Sequence, residues 1–362
     1  MPPQLPATTT SSGSRADLDR WMRRLLGLPG VLVDWLDGER VTPRGAGPEE
    51  VYPLVVANAQ RPEAHLALER GLHYFVHQGA VAAYDVRGAT AFAIGGLNIG
   101  AGARGPFIRA LLAAVQAAGA KRLLVFPLHD DELEECARAG LAALQVGVEG
   151  WLDLPHRFEG SAFSQVRYMN RRAGRRGVRV EEADPDAHGP AMGALHDAWL
   201  LGKRPSWRMK LLVGSPSLEA PFDRRYLVAR SSRGLEGFVT LLPGPGGAWG
   251  LDVMCRRPDA VPGTMERLLV HAAALLAEEG ATALSLGACP MAGVPRQGDR
   301  PLLRWTFDAL YRSTLGNRVF GFASLHRFKK KFRPRWTPVY FGATPTLGVK
   351  ELYLGCRMWG LY

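Results

Sequence analysis

The chain has 362 residues, 47% of them hydrophobic and nine of them Trp, which is enough for two domains with real cores and excludes a largely disordered protein. A formal charge of +11 points to an acidic partner: nucleic acid, an anionic membrane surface or a phosphorylated substrate. The scattered cysteines Cys136, Cys255, Cys289 and Cys356 form no CxxC pair, so neither a zinc site nor a disulfide framework is indicated, and a reducing cytoplasm is the expected setting.

No apolar run reaches the ~20 residues needed to span a bilayer. Residues 1–15 lack the apolar centre of a signal peptide and read as a disordered tail. A short amphipathic helix is expected over 16–26, followed by Gly- and Pro-rich residues 45–48. Residues 72–99 read as an antiparallel meander with turns at Gln78-Gly79 and Arg87-Gly88. A helix begins near Pro106 and stops at Gly119, a buried strand covers 122–126, and a helix over 132–139 precedes a strand over 146–154.

The second half repeats this order. Strands are expected over 226–230, 237–242 and 250–254, then a helix over 265–278 and a strand over 283–286. AGAKRL at 118–123 and EGATAL at 279–284 punctuate the two copies alike, about 160 residues apart, which predicts two related α/β units. Between them, residues 164–177 form a basic helix carrying Arg171 and Arg175, either a patch for a polyanion or a solvated linker.

Residues 322–340, FASLHRFKKKFRPRWTPVY, interleave cations with rings, a pattern suited to gripping a polyanion and stacking flat groups. Pro334 and Pro338 predict a helix running into an extended strand.

Within this stretch RFKKKFRPRWTPVY resembles the signature of the catalytic domain of lysyl- and alanyl-phosphatidylglycerol synthases, the multiple-peptide-resistance family. LHDAWL at 195–200, GFVTLLP at 237–243, LDVMCRRPDAVPGTME at 251–266 and SLGACPMAGV at 285–294 resemble that family's other landmarks in the same order. The resemblance implies an α/β fold of tandem GNAT (acetyltransferase-like) domains joined by a basic helix. The corresponding division is a tail and short helix over 1–50, a first domain over 51–160, the basic linker helix over 161–178, a second domain over 179–343 and an aromatic C-terminal tail over 344–362. It also implies transfer of an amino acid from aminoacyl-tRNA to a hydroxyl of an anionic membrane lipid, without cofactor or metal, with the protein in the cytoplasm and peripheral on the membrane.

On the family's motif, Lys329, Lys331 and Arg335 are the matched cations, expected at the tRNA acceptor end or the lipid phosphate. Asp252 matches the family's Asp and is expected to hold the ammonium of the amino acid or orient the attacking hydroxyl, unless it is taken up by Arg256 or Arg257. Trp336 is either a stacking platform or a core ring, and His326 a base or another basic contact. Asp197, Arg256, Arg257, Arg171 and Arg175 complete the expected substrate contacts. Two departures, Cys255 in place of the family's Arg and LGKRPSWRMK at 201–210, are expected in loops that shape the substrate pockets.

Two other readings compete. Gly100-Ala101-Gly102-Ala103-Arg104-Gly105 is a GxGxxG between a strand and a helix, which suits the diphosphate of a dinucleotide or of coenzyme A. A silent module that binds RNA or an anionic membrane would use the same basic surface, and Leu352, Tyr353, Leu354, Met358, Trp359, Leu361 and Tyr362 suit either a membrane interface or packing onto the body.

Overall fold

The computed structural model describes residues 45–201, 215–216, 218, 222–295 and 322–359. The expected tail and helix before residue 45, residues 202–210 of the LGKRPSWRMK stretch, and Leu361 and Tyr362 lie outside these.

Helix α1 (Pro48–Asn58) and a 3-10 segment (Pro62–Leu68) lead into the meander β1 (His73–His77), β2 (Ala80–Arg87) and β3 (Thr90–Asn98). Helix α2 (Arg104–Ala117) connects β3 to β4 (Arg122–Leu128), and the short α3 (Leu133–Arg138) precedes β5 (Ala142–Asp153). The basic helix α4 (Ser164–Arg175), β6 (Arg179–Glu182) and α5 (Pro185–Leu201) open the second half. There β7 (Arg225–Ser231), β8 (Gly234–Pro243) and β9 (Ala248–Arg256) form a second meander, and α6 (Thr264–Glu278) crosses to β10 (Ala283–Pro290). Helix α7 (Phe322–Lys330), β11 (Arg335–Thr344) and α8 (Val349–Met358) follow.

The duplication seen in the sequence is real at the level of pairing. In each copy an antiparallel meander is followed by a helix and a strand that returns parallel to the last meander strand, β3 with β4 and β9 with β10. This is the tandem acetyltransferase-like arrangement.

The two copies are not separate sheets. Among the described residues the strands form one eleven-stranded sheet in the order β1-β2-β3-β4-β11-β5-β10-β9-β8-β7-β6. Strand β11 pairs antiparallel with β4 and with β5, while β5 pairs on its other side with β10. Thus the signature strand, expected as the last element of the second repeat, lies between two strands of the first. Each copy lends its last strand to the other, which covers edges of β4 and β10 that would otherwise present unpaired backbone groups.

Strand β10 outlasts its expected end at residue 286. Gly287, at φ +76°, makes a bulge between Ser285 and Ala288, and pairing with β5 resumes through Pro290. Local glycine reads as a stop, whereas the neighbouring strand rewards continuation.

Helix α8 decides the fate of the aromatic tail. Leu352, Tyr353, Leu354, Met358 and Trp359 are all buried in the first core. Trp359 meets Phe126, Phe92 and Phe341 edge-on at 5.0, 5.7 and 5.7 Å between ring centres. These residues pack onto the body and do not present a membrane-facing surface, because their apolar area is already removed from water.

Candidate active site

The cations of the signature divide by burial. Lys329 sits on the inner face of α7 and is 5% exposed; its Nζ donates to the carbonyls of Gly287 and Ala288 at 3.1 and 3.0 Å. Burial lowers its pKa, with Cys289 and Glu149 opposing. The residue expected at a phosphate therefore faces the β10 bulge, where the 287–288 carbonyls need donors. Lys331, at the turn after α7, bonds Glu266 at 2.5 Å and covers the Phe328 ring at 4.5 Å. Arg335 opens β11, exposed at 57% and 3.6 Å from Asp153.

Trp336 is half-buried and packs against Val148, Cys289 and Ala292. His326 meets its edge at 4.9 Å. Burial, then the charges of Lys330 and Lys329, push His326 below its ordinary value, which disfavours a cation there.

The basic helix and the signature meet at the start of α6. Glu266 holds Lys331, while the adjacent Arg267 donates to Asn170 of α4 at 3.1 Å. Gly263, just before α6, has φ +98°, and a Cβ there would lie 2.1 Å from the Met169 carbonyl oxygen. Only glycine permits α4 to come this close. Arg171 and Arg175 are exposed on α4.

Asp252 lies at an irregularity of β9, where register with β8 shifts between Val239 and Leu241 and Val253 N–H donates to Thr240 Oγ1 at 2.9 Å. It is half-buried. Arg257 pairs with Asp259 at 2.8 Å and Arg256 donates to the Arg257 carbonyl at 3.4 Å. Asp197 is exposed on α5 beside His196, at 3.8 Å. Cys255 is not a loop residue: it is fully buried in β9 among Tyr226, Val228, Phe238 and Val253. The expectation that it shapes a substrate pocket is corrected, because its position in the strand turns its thiol into the core beneath α5.

The GxGxxG loop is also corrected. The backbone N–H groups of Gly102 and Arg104 donate to the Glu135 carboxylate at 3.0 and 3.1 Å. Arg104 itself is buried beside Glu132 and Glu135. A protein carboxylate thus occupies the anion position at the start of α2 that a diphosphate would need.

One polar cluster was not singled out from the sequence. His129, at the end of β4, bonds Glu63 of the 3-10 segment at 2.6 Å. Glu149, in mid-β5, accepts from Ser285 Oγ at 2.5 Å, and that hydroxyl accepts from Gly287 N–H at 2.9 Å. Burial opposes charge on His129, but the bond and charge of Glu63 outweigh it and raise the imidazole; burial and the charge of Glu63 raise the Glu149 carboxyl. The available signal was Glu149 itself, a charge inside the otherwise apolar run VGVEGWL at 146–152.

A family model, phosphatidylglycerol lysyltransferase, C-terminal, matches residues 54–342. The lysylphosphatidylglycerol biosynthesis bifunctional protein LysX of Nocardia farcinica is 31% identical over 219 residues, 56% of this chain and 19% of that protein. The chain therefore spans about a fifth of the length of the curated relatives it matches. L-PGS from Bacillus licheniformis superposes with a TM-score of 0.73 at 18% identity, covering 88% of this chain and 99% of that one. A C-terminal domain from Agrobacterium fabrum gives 0.71 at 21% identity over 87% and 95%. At these identities the two structures establish the shared fold.

Proposed function

The chain belongs to the phosphatidylglycerol lysyltransferase C-terminal family, and on that premise we propose that it moves an amino acid from an aminoacyl-tRNA to a hydroxyl of an anionic membrane lipid of the phosphatidylglycerol type. The match over residues 54–342 carries this reading. In the reaction the lipid hydroxyl oxygen bonds to the ester carbonyl carbon, the bond from that carbon to the ribose oxygen breaks, and the proton passes from lipid to ribose. The donor is already an activated ester, so alignment and stabilisation of the developing oxyanion are the main demands on the protein.

We assign Arg171, Arg175, Arg256 and Arg335 to the phosphates of the two substrates, because their guanidinium groups lie on exposed positions and can fork onto phosphate oxygens. Asp252 is assigned to the ammonium of the amino acid or the attacking hydroxyl. Lys329 and Lys331 hold the frame on which these groups stand. Among the described residues no helix is long and apolar enough to cross a membrane, and contact with lipid is assigned to the protein's basic surface. The cytoplasmic face is the side that offers aminoacyl-tRNA.

The deciding experiment incubates the protein with labelled aminoacyl-tRNAs and a panel of lipids and extracts the organic phase. A labelled lipid supports the proposal. Turnover of acetyl-CoA with no lipid product would overturn it, and salt-dependent RNA binding without either reaction would favour a silent binding module.

A further inference from the structure

Glu63, His129 and Glu149 come from three separate segments, the 3-10 segment, the end of β4 and the middle of β5. One ligand atom from each lies within 4.8 Å of the other two. The transferase reading does not use this group. Cysteine spacing gave no hint of it, since it contains no cysteine.

Two observations mark it as built for a ligand. Glu149 is 5% exposed; Ser285 takes its Oε1, and its Oε2 has no hydrogen-bond partner. A carboxylate oxygen buried without a donor is costly unless a charge offsets it. Lys329 gives it charge but no hydrogen bond, because its ammonium bonds the carbonyls of Gly287 and Ala288. Beside the cluster is a cavity of about 20 Å³ lined by Glu63, His129, Gly95 and Asn98, and the buried Asn98 side-chain nitrogen also has no partner. That volume is room enough for a water molecule or a bare ion next to Glu63 and His129.

We infer that Glu63, His129 and Glu149 bind one divalent transition-metal ion of the zinc class, with Ser285 orienting Glu149 from behind. Two carboxylates and one imidazole are a borderline donor set, suited to Zn²⁺ or Co²⁺, whereas Mg²⁺ and Ca²⁺ prefer oxygen alone. Two carboxylates against a +2 ion and a neutral imidazole also balance the charge. On binding, the 2.6 Å contact between His129 and Glu63 lengthens to admit the ion, and metal and protons compete for the same side chains. The ion would clamp the 3-10 segment to the sheet between its two halves.

The test uses the full chain, stripped with chelator and titrated with Co²⁺ and then Zn²⁺. The expected result is one equivalent of Co²⁺ with visible d–d bands, displaced by Zn²⁺, and a higher melting temperature with metal. Glu149→Gln and His129→Gln should each weaken binding at least tenfold, and Glu63→Gln serves if either fails to fold. No stoichiometric uptake by the wild type overturns the inference. So does uptake that folded variants keep unchanged, or a Co²⁺ spectrum dominated by thiolate charge transfer. The readout is metal, not lipid product, so this result stands apart from the fate of the transferase proposal.

Discussion

The ammonium of Lys331 and the carboxylate of Glu266 meet at 2.5 Å, with Glu266 at 7% side-chain exposure and Lys331 at 22%. The pair ties the signature turn to the first turn of α6. Lys331→Ala leaves a nearly buried carboxylate uncompensated. Urea unfolding should show a loss of about 1–3 kcal/mol, less than for a fully buried pair because Lys331 keeps some solvent. Adding Glu266→Gln should recover part of it. A purely substrate-binding role for Lys331 predicts no change in the urea midpoint.

Arg335 behaves oppositely. Its contact with Asp153 is long and both groups are more than half exposed, so Arg335→Ala should change stability by less than about 0.5 kcal/mol. If it contacts substrate phosphate, KM for aminoacyl-tRNA or lipid should rise several-fold and the salt dependence should flatten. Unchanged kinetics would remove it from the site.

Glu135→Ala should free the amides of Gly102 and Arg104 and leave the buried Arg104 with one carboxylate fewer. A loss of about 1–3 kcal/mol is expected in thermal or denaturant melts. The wild type should show no saturable binding of coenzyme A by calorimetry, since Glu135 holds the anion position.

His65 is 3% exposed, and neither ring nitrogen has a hydrogen-bond partner. Burial, helped by the charge of Arg224, lowers its pKa from 6.5 to about 4. The unfolded chain therefore binds the proton more readily between these values. The stability from keeping His65 neutral is complete above pH 6.5 and is lost as pH falls through about 4. The total loss is about 3 kcal/mol. Melts from pH 7 to 4 should show a shallower acid slope in His65→Phe than in the wild type; equal slopes would contradict the assignment.

A truncation ending at Thr344 removes α8 and with it the buried Leu352, Tyr353, Leu354, Met358 and Trp359. The truncated protein should lose cooperative unfolding of its first half. Trp359→Ala alone should cost about 3–5 kcal/mol. Liposome flotation of that single variant should match the wild type, since the ring faces Phe92, Phe126 and Phe341 and not lipid.

Sequence by itself determined the repeated strand, helix and strand units, the basic helix α4, the helix-to-strand break at Pro334 and the family landmarks. Each is local: periodicity, proline and glycine act within a few residues of where they stand. The exchange of β5 and β11 between the halves was decided by edge pairing, a long-range property that no local pattern encodes. For the same reason Lys329 and Lys331, two positions apart in one motif, ended with different roles, one inside against the β10 bulge and one at Glu266. Cys255 looked like a pocket change until β9 turned it into the core. Glu63, His129 and Glu149 are far apart in the chain and became neighbours only because β4 and β5 flank β11 while the 3-10 segment packs on the same sheet.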